Sequence, residues 1–122
     1  MKLARLSVFL ALPLMFGCAT ATAPTPPLAP GAVNSFDQTS YTALLTAQAS
    51  YNSLLASYRA NPTVLASLKA PLDAAATSIN LAEIAWQTYH AAAVAGAATS
   101  AQQTAVTTSL TSAQTALAGV KP

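Results

Sequence analysis

At 122 residues there is room for one small domain, and the formal charge of +2 is misleading. Lys2 and Arg5 create it; from Cys18 onward the cations Arg59, Lys69 and Lys121 balance the anions Asp37, Asp73 and Glu83. A neutral stretch with three scattered cations has no electrostatic footprint for nucleic acid and no basic stripe for anionic lipid heads.

The chain opens with a basic start, Lys2 and Arg5, and an apolar middle from Leu6 to Phe16. That is the layout of a secretory signal, and the run is too short to span a bilayer, which takes about 20 residues. The signal is therefore expected over residues 1–17. Met15-Phe16-Gly17-Cys18 at its end resembles the lipobox of bacterial envelope lipoproteins. Gly17 and Cys18 match its two most restrictive positions, whereas Met15 stands where leucine is usual and Phe16 is bulky for its site. The resemblance implies that Cys18 is lipidated, with a diacylglyceryl group on its thiol and an acyl chain such as palmitate on its amino group. It also implies cleavage before Cys18 and a membrane anchor facing the periplasm. Ala19 in place of aspartate resembles lipoproteins sorted to the outer membrane. The alternative is an ordinary signal cut at Ala19-Thr20-Ala21 or Ala21-Thr22-Ala23, which would discard Cys18. A lone cysteine has no intramolecular partner, so a disulfide framework is excluded either way.

Residues 18–33 follow as a tether. Between Ala19 and Val33 four prolines and almost no bulk favour extended, solvated backbone. At about 3.1 Å per residue this stretch reaches roughly 45 Å. Residues 34–120 then carry helical periodicity, and the expected fold class is all-α, a small up-down-up antiparallel three-helix bundle.

The first helix should open at Asn34 or Ser35, where Ser35 and Gln38 have capping-box spacing. Tyr41, Leu44, Gln48, Tyr51, Leu55 and Tyr58 step by three and four, as a helical seam does, and Leu45 and Leu54 widen it. Asn61-Pro62 ends this helix and starts the next, with Asn61 as cap and Pro62 at the first position. The seam of the second helix runs Leu65, Leu68, Leu72, Ala75, Ile79, Ala82, Trp86, Tyr89, Ala93 without a slip. Its register continues across Pro71, so a bend inside one helix is expected, with Lys69 and Asp73 read as end and start charges. Gly96 is the expected terminator. A third helix should open at Ser100, with Gln103 completing a capping box and Val106, Leu110, Ala113 and Leu117 as its seam. Gly119 is a natural C-terminal residue.

Large apolar side chains are sparse, and much of the 53% hydrophobic content is alanine. The core should therefore be thin and marginally stable. Trp86 is expected inside it, with the tyrosines at its edge. The tyrosine-bearing face of the first helix is the expected self-association surface.

Catalytic, metal-binding and cofactor-binding residues are all read as none. His90 is the sole histidine; Glu83 and Gln87 share its helical face, two turns of which are too long for a direct hydrogen bond between Glu83 and His90. These three are expected to form a solvated polar stripe. Asp37, Asp73 and Glu83 are scattered, so no paired-carboxylate site is expected. The expectation is a non-catalytic structural or interaction module, a coiled-coil-like bundle lipid-anchored in the envelope, with itself, an envelope protein or peptidoglycan as partner. The acylated cysteine followed by heptad helix is weakly similar to the murein lipoprotein. That family ends in a lysine joined to peptidoglycan; here Lys121 is followed by Pro122, which puts the cross-link in doubt. The proline-rich tract after Cys18 also resembles a phage-type lysis lipoprotein (outer spanin). A binding module for a small hydrophobic ligand is the remaining alternative, although alanine-rich seams tend to close cavities.

Overall fold

Three helices follow the proline-rich stretch: α1 (Ser35–Arg59), α2 (Pro62–Val94) and α3 (Ser100–Gly119). They come from a computed structural model that describes residues 28–121. Two short turns make neighbours antiparallel, so the chain runs up, down and up. Among the described residues, no helix is long and apolar enough to cross a membrane. The signal, Cys18 and most of the tether lie outside the described residues.

Local chemistry sets each helix end. Asn34 caps α1, its side-chain oxygen accepting the Asp37 backbone N–H at 2.9 Å. The Ser35–Gln38 box is thus not used, because Asn34 already occupies the capping position. Asn61 caps α2 with Pro62 in its first turn, as the sequence indicates. At the far end the Gly96 N–H reaches Ala93 O and the Ala97 N–H reaches Ala92 O. This is a Schellman closure, and Gly96 takes the left-handed φ of 70° it requires. A Cβ at Gly96 would meet nothing within 4 Å, so the cost of Gly96→Ala is conformational alone. We expect that variant to lose about 1–2 kcal/mol, read as a lowered thermal midpoint with unchanged helix content.

α3 begins at Ser100 as expected, but its cap lies one residue earlier. Thr99 is the cap, and Gln102 rather than Gln103 completes the capping box. Both Thr-x-x-Gln and Ser-x-x-Gln satisfy the spacing, and Gln103 is drawn instead to the Tyr89 hydroxyl at 3.4 Å.

α2 is continuous through Pro71. Lys69 and Asp73 are a correction: they are not the charges of two separate helix ends. They face each other one turn apart at 2.6 Å, spanning Pro71 on the exposed side. Ion pairs so open to water stabilise little.

Two clusters form the core. Leu44 and Ala47 of α1, Ile79, Ala82 and Tyr89 of α2, and Val106, Leu110 and Ala113 of α3 fill the first. Leu68, Leu72, Ala75 and Val120 fill the second, with Tyr51, Leu54, Leu55 and Tyr58 packed around it. Ala75, Ala82 and Ala113 are fully buried, which lets the backbones approach closely. The seam of α2 is as the spacing predicts; that of α1 holds at Leu44, Tyr51, Leu55 and Tyr58 but is rotated over its first turns. Asp37, Ser40, Leu44 and Ala47 point inward, while Tyr41 and Leu45 are exposed. On the tyrosine face of α1, Tyr51 and Tyr58 are partly buried against the second cluster, while Tyr41 is exposed.

Candidate functional site

The end of the bundle where the tether arrives holds most of its buried polar chemistry. Asp37, one turn into α1, is 1% exposed, a rare position for a carboxylate that has no lysine or arginine beside it. Its Oδ2 accepts the Val33 N–H at 3.1 Å and meets His90 Nδ1 at 2.8 Å. An ionised carboxylate only accepts, so in that state of Asp37 the donor is the Nδ1–H tautomer, which leaves Nε2 as the ring's remaining polar position. Oδ1 is buried and has no hydrogen-bond partner.

Around this pair stands a row of rings. Trp86 lies between Tyr41, at a centroid distance of 4.7 Å and tilted by 31°, and His90, at 5.1 Å and inclined by 29°. The indole N–H points to the Asp37 carbonyl at 3.4 Å. Each aromatic contact of this kind adds about 0.5–1.5 kcal/mol beyond area burial. Two core positions behind, Tyr89 joins all three helices. Asn34 Nδ2 donates to its hydroxyl at 2.9 Å, the hydroxyl donates back to Asn34 Oδ1 at 3.2 Å, and Gln103 Nε2 donates from α3 at 3.4 Å. Phe36 meets the Tyr89 ring edge-on at 4.9 Å.

Two sequence expectations are corrected here. His90 is not on a solvated stripe with Glu83 and Gln87. Gln87 donates to Glu83 at 3.2 Å and Glu83 also accepts from Gln48 at 3.4 Å, while His90 turns toward α1 and holds Asp37. Nor is Trp86 the heart of the core; it is half-buried against it, and Tyr89, at 1% exposure, is the large side chain fully inside. One helical step separates the faces on which these neighbours sit, and the crossing geometry of α1 decides which points inward.

The segment before α1 completes the site. Residues 29–32 form a turn closed by the Ala32 N–H on Ala29 O, with Gly31 at a φ of 88°. The turn is fixed to α1 by the Ala29 N–H on Gln38 Oε1 at 3.2 Å. Between it and the Tyr41–Trp86–His90 row lies a cleft of about 310 Å³, with Asp37 in its wall. Two further clefts, of about 520 and 450 Å³, lie along α1 and carry no buried ionisable group. Alanine-rich seams do close the bundle interior; the clefts lie at its surface.

Among the described residues no three His, Cys, Asp or Glu side chains come together as a metal site. The Asp37–His90 pair has the carboxylate–imidazole half of a nucleophilic triad; among the described residues the one aliphatic hydroxyl lining the cleft is that of Thr42, which donates to the Gln38 carbonyl at 2.9 Å. The cleft presents one carboxylate, one imidazole edge and aromatic walls. No family model, curated protein or solved structure matches the chain.

Proposed function

We propose that the chain is a lipid-anchored protein of the bacterial envelope, whose helical bundle is a structural or interaction module without a catalytic role. The reading is carried by the order of its parts. An apolar signal ends at Gly17-Cys18, a proline-rich tether follows, and a charge-balanced bundle comes last. Cys18 holds the lipid, the tether sets the reach, and the bundle meets its partner in the periplasm, most simply at the outer membrane. The clamp on residues 29–33 supports this division, since a tether needs a firm attachment where it enters the domain. In a host that processes lipoproteins, Cys18→Ala should abolish fatty-acid labelling and release the protein from membranes. Undiminished membrane retention would defeat the reading.

The cleft at the tether junction favours a second reading, a small-ligand binding module. Its volume of about 310 Å³ reaches the lower end of ordinary ligand sites, roughly 300–1,000 Å³. The buried carboxylate in its wall turns the expectation from a hydrophobic ligand to a polar one.

A further inference from the structure

We infer that the cleft between the 29–32 turn and the Tyr41–Trp86–His90 row is a binding site for a small primary ammonium group. The inference deepens the ligand-binding reading and does not depend on the lipid anchor.

It starts from Asp37 Oδ1. A buried carboxylate oxygen without a partner is costly, and in a native fold such an atom calls for an explanation. Oδ2 is already shared by His90 and the Val33 N–H, so Oδ1 is the vacant acceptor of the group. An acceptor calls for a donor. The walls then select among donors. None of the described residues lining the cleft is lysine or arginine, so an incoming cation meets no like charge from them, and the carboxylate favours it. A neutral hydroxyl would fill the acceptor without placing a positive charge beside the carboxylate. A quaternary ammonium would supply charge but no N–H. A primary ammonium supplies both, and the half-exposed Tyr41 ring offers an aromatic face to its positive charge or alkyl stem.

Access is built from the same parts. Oδ1 lies below the surface, and two hydrogen bonds tie the 29–33 segment to α1: Ala29 N–H to Gln38 and Val33 N–H to Asp37. To reach Oδ1 an ammonium must displace this segment outward, and its N–H then fills the acceptor that the fold leaves bare. The ligand class is thus a slim amine, such as the side-chain end of a diamino acid or an alkyl diamine.

Trp86 is the protein's one tryptophan and stands in the wall of the cleft, so its fluorescence reports occupancy directly. The purified protein is titrated at constant ionic strength with n-butylammonium chloride, n-butanol and tetramethylammonium chloride. A saturable change is expected with butylammonium, and a response at least about tenfold weaker with the other two, the loss that one charge-assisted hydrogen bond represents. Asp37→Asn should weaken butylammonium by a similar factor and Tyr41→Leu by a few-fold, with far-UV spectra confirming that both remain folded. Should Asp37→Asn fail to fold, the ligand series and the surface variant Tyr41→Leu still decide. Equal responses to butanol or tetramethylammonium would overturn the assignment, as would no saturable change with butylammonium, or undiminished binding by both variants.

Discussion

Tyr89→Ala is expected to be the most damaging single substitution in the bundle, ahead of Trp86→Ala. Truncating a fully buried aromatic removes its transfer energy and leaves a cavity, together about 3–5 kcal/mol. That approaches the whole stability of a domain this small, whose net is commonly about 5–15 kcal/mol. The position adds to the loss. The Tyr89 hydroxyl is the common partner of Asn34 at the start of α1 and Gln103 near the start of α3, so removing it leaves the α1 cap with an unpaired amide. Because 1 kcal/mol moves the midpoint of a 60–100-residue domain by about 4–8 °C, the variant should melt at least 12 °C lower or not fold at all. Tyr89→Phe separates the two contributions: it keeps the ring against Phe36 and gives up only hydrogen bonds, about 1–3 kcal/mol. Trp86→Ala gives up a half-buried ring and its two ring contacts, and should fall below Tyr89→Ala. A circular-dichroism melt of the three variants tests the order. If Trp86→Ala proves the more destabilising, the core has been placed one step too far around α2.

Helix positions were legible because they depend on neighbours in the chain. Asn61-Pro62 and Gly96 each carry their own stereochemical reason to end or begin a helix, and the unbroken spacing from Leu65 to Ala93 marks the inner face of α2. The seam of α1 was harder to read, since polar and apolar residues share its inner face. Ser40 and Asp37 are buried there while Leu45 is not, and a hydrophobic pattern cannot announce a buried aspartate. The site itself depends on residues more than 50 positions apart, His90 on Asp37 and Tyr89 on Asn34. A signal for it existed. Folding α1 and α2 about the Asn61-Pro62 turn sets the first turns of α1 opposite the part of α2 that carries Trp86 and His90. Applied to the seams, that antiparallel register would have placed the one histidine near Asp37. What no register supplies is the rotation that turns His90 inward and leaves Gln87 outside.

His90→Ala is the second substitution expected to act strongly, and it tests that rotation. In the folded protein the imidazole is one of two partners of a carboxylate that is 1% exposed; without it the Val33 N–H alone faces Oδ2, and Oδ1 is already bare. Leaving a buried group short of a partner costs about 1–3 kcal/mol, more when the group is charged. A surface histidine on a solvated stripe would cost about 0.5 kcal/mol or less, so the two placements give separable results. Gln87→Ala, three residues earlier on the exposed side, is the matched control and should change little. The pair term follows from a cycle of Asp37→Ala, His90→Ala and the double variant, measured by urea denaturation at one pH. Residues in direct contact usually couple by about 0.5–3 kcal/mol, and here the sign is fixed. The double variant removes both the carboxylate and its need for a partner, so it should lose less than the two singles together. Part of each single loss will be packing, because His90 also covers one face of Trp86, but that part appears in both arms containing His90→Ala and cancels in the cycle. Strict additivity would mean that Asp37 and His90 merely lie side by side, and that the buried carboxylate is compensated by something other than the imidazole.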